Sequence, residues 1–270
     1  MTSMNERLKD IVKNKYNEIA LQSKEQNQSS CCGSTCGCGD MDYTVMSDDY
    51  TELKGYNKDA DLGLGCGLPT EYAEITKGNT VIDLGSGAGN DAFVARSIVG
   101  ESGRVIGLDF ADAMLQKANA NVAKIGFTNV EFVKGDIEEM PFENNLADVF
   151  ISNCVLNLVP NKEKAFSEMF RVLKPGGHFC VSDIVLSGDL PEATVKDAEM
   201  YAGCVSGALQ KEEYLGIIEK AGFTNIQVRK EKEIILPDDI LSKYITEREL
   251  AEFRNGAIGI YSITVFAKKV

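Results

Sequence analysis

Histidine is almost missing from this chain, and positive charge is scarce. His178 is the single histidine in 270 residues. A metal site built on imidazoles is thereby nearly excluded, and a Ser-His-Asp triad would hang on one residue. That residue opens an apolar strand after "KPGG", so we expect it at the surface or at a sheet edge. Twenty-eight Lys and Arg face 41 Asp and Glu, giving a formal charge of −13. A field of that sign repels phosphate backbones and anionic membranes, which argues against nucleic acid as a partner. No apolar run approaches the ~20 residues that a membrane span needs, and the first ten residues are polar rather than signal-like. The expectation is a soluble, cytoplasmic protein.

Against these absences stand eight cysteines. In a reducing compartment, thiols more often mean metal, redox chemistry or catalysis than structural disulfides. Hydrophobic residues make up 44% of the chain, enough for a substantial core. Residues 5–21 place Leu8, Ile11, Val12, Tyr16 and Ile19 at helical spacing, so an amphipathic helix should dock on something. The stretch "KEQNQSSCCGSTCGCGD" has no periodicity and reads as a flexible arm. From Thr80 onward strands alternate with helices, from "TVIDLG" and "NDAFVARSIV" to "NIQVRKEKEIIL" and "GIYSITVFAKK". That rhythm means a doubly wound, mostly parallel sheet of seven strands. The last strand should pair antiparallel, because no ordinary helical crossover precedes it. "PDDILSKYITERELAEFR" would form an inserted cap helix. We divide the chain into a helix and Cys-rich arm (1–60), a nucleoside-binding core (61–185), and cap segments with the last strands (186–270).

The first strand-to-helix turn carries Gly85, Ser86, Gly87 and Gly89 in "VIDLGSGAGN". Glycine there lets the backbone approach a ligand, although the pattern alone equally marks a tight turn. Asp83 precedes the glycines. Asp109, followed by Phe110, ends the second strand, where an acid can accept hydrogen bonds from ribose hydroxyls. Asp136, followed by Ile137, ends the third. The glycine spacing departs from the dinucleotide fingerprint, and no Lys or Arg follows to bind a phosphate. An acidic, phosphate-free site suits a cationic sulfonium nucleoside such as S-adenosyl-L-methionine. This pattern, with "RVLKPGG", resembles the class I methyltransferases. The resemblance implies a Rossmann-like fold, Asp109 on the ribose, Asp136 and Ile137 near the adenine, and the Gly85–Gly89 loop under the methionine.

At the end of the fourth strand, "ISNCVLNLVP" offers Asn153 and Cys154 and no acid or histidine. Methyl transfer to oxygen or nitrogen usually needs a base. Cys66 in "DLGLGCGLP" and Cys204 in "YAGCVSGAL" are flanked by glycines, which we read as leaving their thiols accessible; the bland alternative is small-residue packing. Cys180 alternates within "HFCVSDIV" and should be core. Three thiols without histidine select a soft ion. Zinc would usually take four ligands. Trivalent arsenic takes three thiolates and keeps a lone pair, which can attack a sulfonium methyl in line without losing a proton.

"DLGLGCG", "VIDLGSGAGND", "ISNCVLNL", "RVLKPGG", "SDIVL" and "YAGCVSGALQKEEYLGIIEKAGF" together resemble the arsenite methyltransferases over about residues 61–223. The resemblance implies that Cys66, Cys154 and Cys204 bind As(III). Arsenite, and then methylarsonous acid, would be substrates, with S-adenosyl-L-methionine as cofactor. A thiol reductant, glutathione or a thioredoxin-type partner, would be co-substrate, and the role would be detoxification. Leu68 and Ala92 depart from the family, where Asn and Cys are common. Cys31, Cys32, Cys36 and Cys38 lack the tidy pairs of zinc sites. They serve either arsenic capture and thiol exchange or nothing. Two alternatives stay open: a class I methyltransferase of another small metabolite, and a non-catalytic thiol protein that binds metalloid.

Overall fold

A computed structural model describes residues 4–22, 27, 48–188, 207–235, 246–252, 254–255 and 259–270. Helix α1 (Met4–Ile19) is followed by the irregular segment from residue 48 and the short α2 (Pro69–Tyr72). The alternating core then runs β1 (Thr80–Leu84), α3 (Asn90–Val99), β2 (Arg104–Asp109), α4 (Asp112–Ile125), β3 (Val130–Lys134) and β4 (Ala147–Asn153). It continues with a 3-10 turn (Leu156–Leu158), α5 (Lys162–Val172) and β5 (Leu173–Ser187). Beyond it come β6 (Leu209–Gln210), α6 (Lys211–Lys220), β7 (Thr224–Glu233), α7 (Glu247–Glu252) and β8 (Gly259–Lys268).

Seven strands lie in the order β3-β2-β1-β4-β5-β8-β7, and two-residue β6 adds a short parallel pairing to β5. β1 to β5 are parallel, whereas β8 runs antiparallel to both β5 and β7. This is the doubly wound, seven-stranded sheet expected from the alternation, closed by an antiparallel last strand. β1 reads "TVIDL" and is buried from Val81 to Leu84, as a strand covered by helices on both faces must be. Phe150, Phe166, Phe179 and Tyr214 pack one face of the sheet; Phe93, Met114, Ile151 and Phe266 pack the other.

Chain order reverses between β1 and β4, so the loops after them diverge and leave a crevice at their carboxyl ends. That is where open α/β sheets bind ligands. The N-terminal helix docks there. Val12 and Ile19 are buried, each contributing roughly 1.5–3 kcal/mol. Asn17 Oδ1 accepts from the Ala113 N–H, and Lys117 donates to the carbonyls of Ala20 and Gln22.

His178 corrects one expectation. It sits in β5 between β4 and β8, not at an edge, and it is half-buried. Its Nε2 lies 2.6 Å from the Ala73 carbonyl, and its ring tilts against Phe266. Burial lowers its pKa, which suits a neutral packing role. Cys180 is fully buried, and burial pushes its thiol far up, as expected for a core cysteine. The arm around Cys31–Cys38, Cys204, and most of the expected cap helix lie outside the described residues. Among the described residues, no helix is long and apolar enough to cross a membrane.

Candidate active site

The crevice encloses about 1140 Å³ of empty space, its open mouth included. Its floor is the turn after β1. There the N–H groups of Gly85 and Ser86 both donate to the Leu108 carbonyl, tying the turn to β2. Gly85 has φ +64, and a Cβ there would come within 2.5 Å of Val155. Only glycine satisfies both demands without strain. Asp109 holds the turn from the other side, its Oδ2 accepting from Gly87 N–H at 2.9 Å and its Oδ1 from Ala111 N–H at 2.8 Å. A carboxylate has about four lone-pair sites, so Asp109 keeps acceptor capacity for a ligand hydroxyl.

Of the residues singled out from the sequence, Asp83, Gly85, Ser86, Gly87, Asp109, Phe110, Asp136, Ile137, Asn153 and Cys154 line this one crevice. Gly89 does not. It takes φ +99 at the start of α3, where a Cβ would strike Phe132 at 2.6 Å, so its service is to helix packing. Sequence reasoning missed Lys9, Val12 and Tyr16 on α1, and also Tyr50 and Asp91. The apolar stripe of α1 signalled docking without saying where. Asp91 stood in plain view two residues after the glycines. Nothing in the sequence pointed to Tyr50.

Three observations suit a cationic nucleoside such as S-adenosylmethionine. Asp83 Oδ2 and Ser86 Oγ are buried without a hydrogen-bond partner in the protein. Such groups cost about 1–3 kcal/mol each unless a ligand satisfies them. Burial, with Asp91 and Asp109 close by, pushes the Asp83 carboxyl well above the usual range. Burial also raises Asp109 and lifts Asp91 to about 6, against the hydrogen bonds of Asn153 and Tyr50. A bound cation would relieve all three. Lys9 bridges Asp136 and Glu138 at 2.5 and 2.7 Å, pinning α1 over the Ile137 end of the crevice.

The thiol end is built differently. Cys154 follows the last residue of β4 at φ +59. A left-handed residue that is neither Gly nor Asn is uncommon, costs of order 1–3 kcal/mol, and clusters at functional sites. Its N–H donates to the Ser182 carbonyl at 2.7 Å. Cys66 lies against the same strand ends. Its N–H donates to Asn153 Oδ1 at 2.9 Å, and its carbonyl accepts from Ser262 Oγ. Both cysteines lie near the buried Tyr214 hydroxyl. Neither Cys66 nor Cys154 is in a disulfide.

Here the glycine-based reading of Cys66 is overturned. Cys66 is 0% and Cys154 4% exposed, so neither thiol is laid open by its neighbours. The flanking glycines serve close approach. A Cβ at Gly65 would come within 2.6 Å of Asn153 Nδ2, and one at Gly67 within 2.5 Å of Ser182 Oγ. Leu68 and Ala92 are both buried, Leu68 in a cluster with Tyr50 and Val94. Among the described residues, no three His, Cys, Asp or Glu side chains form a metal-binding group; Cys204 lies outside them.

The order of the parallel strands, the glycine turn under a carboxylate-lined crevice, and the antiparallel last strand define a Rossmann-like methyltransferase. A family model described as a methyltransferase domain matches residues 75–222. An arsenite methyltransferase of Halobacterium salinarum is 36% identical over 98% of this chain and 67% of its own length. One from Aquipseudomonas alcaligenes is 31% identical over 87% of this chain and 67% of its own. The crystal structure of an arsenic (III) S-adenosylmethionine methyltransferase from Chlamydomonas reinhardtii is 36% identical, with a TM-score of 0.64. That match covers 76% of this chain and 68% of the other. The chain belongs to the arsenite methyltransferase family and is an S-adenosylmethionine-dependent enzyme.

Proposed function

We propose that this protein methylates trivalent arsenic, arsenite first and methylarsonous acid next, held as thiolates by Cys66, Cys154 and Cys204. The observation that carries the reading is the meeting of two thiol segments at the edge of the cofactor crevice, one of them in a strained conformation at a strand end. Each thiol replaces one hydroxide of arsenous acid. Its proton leaves with that hydroxide as water, so three thiols release three waters and the charges balance. S-adenosylmethionine supplies an electrophilic methyl, which the arsenic lone pair can take without losing a proton. The reaction therefore asks for no base at the end of β4, and the carboxylate beside Asn153, Asp91, serves as a hydrogen-bond acceptor for Asn153 and Tyr50.

Asp83, Ser86 and the backbone of Gly85 and Gly87 would hold the methionine end. Asp109 would hold the ribose, and Asp136, Ile137 and Phe110 would flank the adenine. The α1 residues Val12 and Tyr16 line the crevice from the helix side. A thiol reductant, glutathione or thioredoxin, would return oxidised arsenic to the trivalent state between rounds. The test is to incubate the protein with S-adenosylmethionine, arsenite and a thiol reductant, then measure methylated arsenic and S-adenosylhomocysteine. Arsenic that is bound but never methylated would leave a sequestering protein instead.

A further inference from the structure

We infer that Tyr50 is a positioning residue for the thiol site, acting through Asn153 on the backbone of Cys66; the inference rests on the three-thiol reading above. Asn153 is the hub. Its Oδ1 accepts from the Cys66 N–H at 2.9 Å. Its Nδ2 faces oxygens only: the Tyr50 hydroxyl, the Gly67 carbonyl at 2.8 Å and Asp91 Oδ2 at 3.2 Å. Turning the amide over would set Oδ1 against a carbonyl and a carboxylate, and would leave Cys66 N–H facing another donor. The surroundings therefore fix which way the carboxamide points.

Acceptors outnumber protons around Tyr50, whose hydroxyl lies 3.0 and 2.9 Å from the two Asp91 oxygens and 3.1 Å from the Gly67 carbonyl; the charged Asp91 is the stronger acceptor. Its hydroxyl has one proton to give and lies 2.9 Å from Asp91 Oδ2. Donating there leaves its oxygen to accept from Asn153, whose second N–H serves Gly67. The brace thus takes in the carbonyl after Cys66 as well as the N–H of Cys66 itself. The Tyr50 ring packs with Leu68 and Val94, so the hydroxyl is held without relying on the network. All three partners come from separate stretches: Tyr50 is 41 residues from Asp91 and 103 from Asn153. Tyr50 is buried.

Tyr50→Phe removes one oxygen and keeps the packing. Asn153 Nδ2 then loses its fixed acceptor and the Cys66 segment loosens. The expected result is a rise in KM for arsenite of about 10-fold, with kcat at saturation close to wild type. S-adenosylmethionine affinity by calorimetry should shift as well, because Tyr50 lines the crevice and bonds Asp91, but by less than the arsenite KM. Kinetics with methylarsonous acid should stay near wild type, because two thiols suffice for that substrate. A purely structural role would not separate the two arsenicals. A fall in cofactor affinity with unchanged arsenite KM would overturn the inference. So would parallel losses on both substrates with a lowered melting temperature, or no change at all. Cys66→Ser measured alongside separates the layers. If it methylated arsenite normally, the three-thiol reading would fall and this inference with it. If it lost arsenite while Tyr50→Phe behaved as wild type, only the inference would fall.

Discussion

The two ends of the crevice are held by different means. At the cofactor end, Gly85, Ser86 and Gly87 are fixed by hydrogen bonds to Leu108 and Asp109, about one βαβ unit away in sequence. At the thiol end, Cys66 is fixed by Asn153, 87 residues on, and by Ser262, 196 residues on. The first end can form once two neighbouring strands have paired. The second needs β4, β5 and β8 all in place, because Asn153, Ser182 and Ser262 belong to those three strands. A site assembled from distant segments should be the easier one to damage without disturbing the other.

The sharpest test of that difference uses the cysteines. Cys154→Ser should lower methylation of arsenite and of methylarsonous acid by about 100-fold or more, since misplacement of a reacting group alone costs that much. Cys66→Ser should lose arsenite to a similar degree yet retain methylarsonous acid, which has two positions left to exchange. The reason is ligand count and not loop mobility, because the Cys66 backbone is pinned at both N–H and C=O. Assays of each variant on each substrate under one reductant decide it; equal loss on both substrates in Cys66→Ser would end the three-coordinate scheme.

Asp109→Ala attacks the other end. It removes the carboxylate that holds Gly87 and Ala111, along with the proposed ribose contact, so S-adenosylmethionine binding should weaken by about 2–4 kcal/mol. Arsenite binding should barely move. Calorimetry that found full cofactor affinity would remove Asp109 from the site.

Paired glycine substitutions sharpen the contrast at smaller effect. Gly85→Ala meets Val155 at 2.5 Å and must hold φ +64; Gly67→Ala meets Ser182 Oγ at 2.5 Å without a positive φ. Each overpacking costs about 1–3 kcal/mol. The first should show in cofactor affinity and the second in arsenite KM. The reverse assignment would contradict the division of the crevice.

The mildest prediction concerns pH. Asp183 is buried beneath the thiol end and accepts from the Tyr214 hydroxyl at 3.1 Å. Burial raises its pKa to about 7, against the pull of Lys162 and that hydrogen bond. The folded protein then holds a proton that the unfolded chain gives up near pH 4, so stability falls as pH rises from about 4 to about 7. Asp183→Asn keeps an acceptor for Tyr214 and should flatten that decline in melting temperature. Asp83, Asp91 and Asp109 share the sign and keep some of it. An unchanged profile would show that Asp183 does not titrate in this range.

Much of the cofactor end was legible in the sequence, because its elements are local. The glycines and the acid ending β2 lie within one βαβ unit, and strands alternating with helices pointed to a mostly parallel sheet, though not to its strand order. Three thiols without histidine pointed to a soft substrate from residue types alone. His178 was misplaced because a lone polar residue in an apolar strand does not say which strands flank it. Cys66 was misjudged because glycine lends itself to two readings, freedom and close approach, and only neighbours distinguish them.

By itself, the sequence determined the doubly wound class, the carboxylate-lined nucleoside site and the cysteines worth watching. These follow from hydrophobic period and from chemistry carried by residues near one another in the chain. Tertiary structure alone decided that α1 roofs the crevice, that Cys154 sits strained at a strand end, and that Asn153 joins Tyr50, Asp91 and the Cys66 segment. Those contacts span 41 to 129 residues, and a directional hydrogen bond across such a gap exists only once the whole sheet has set the distances.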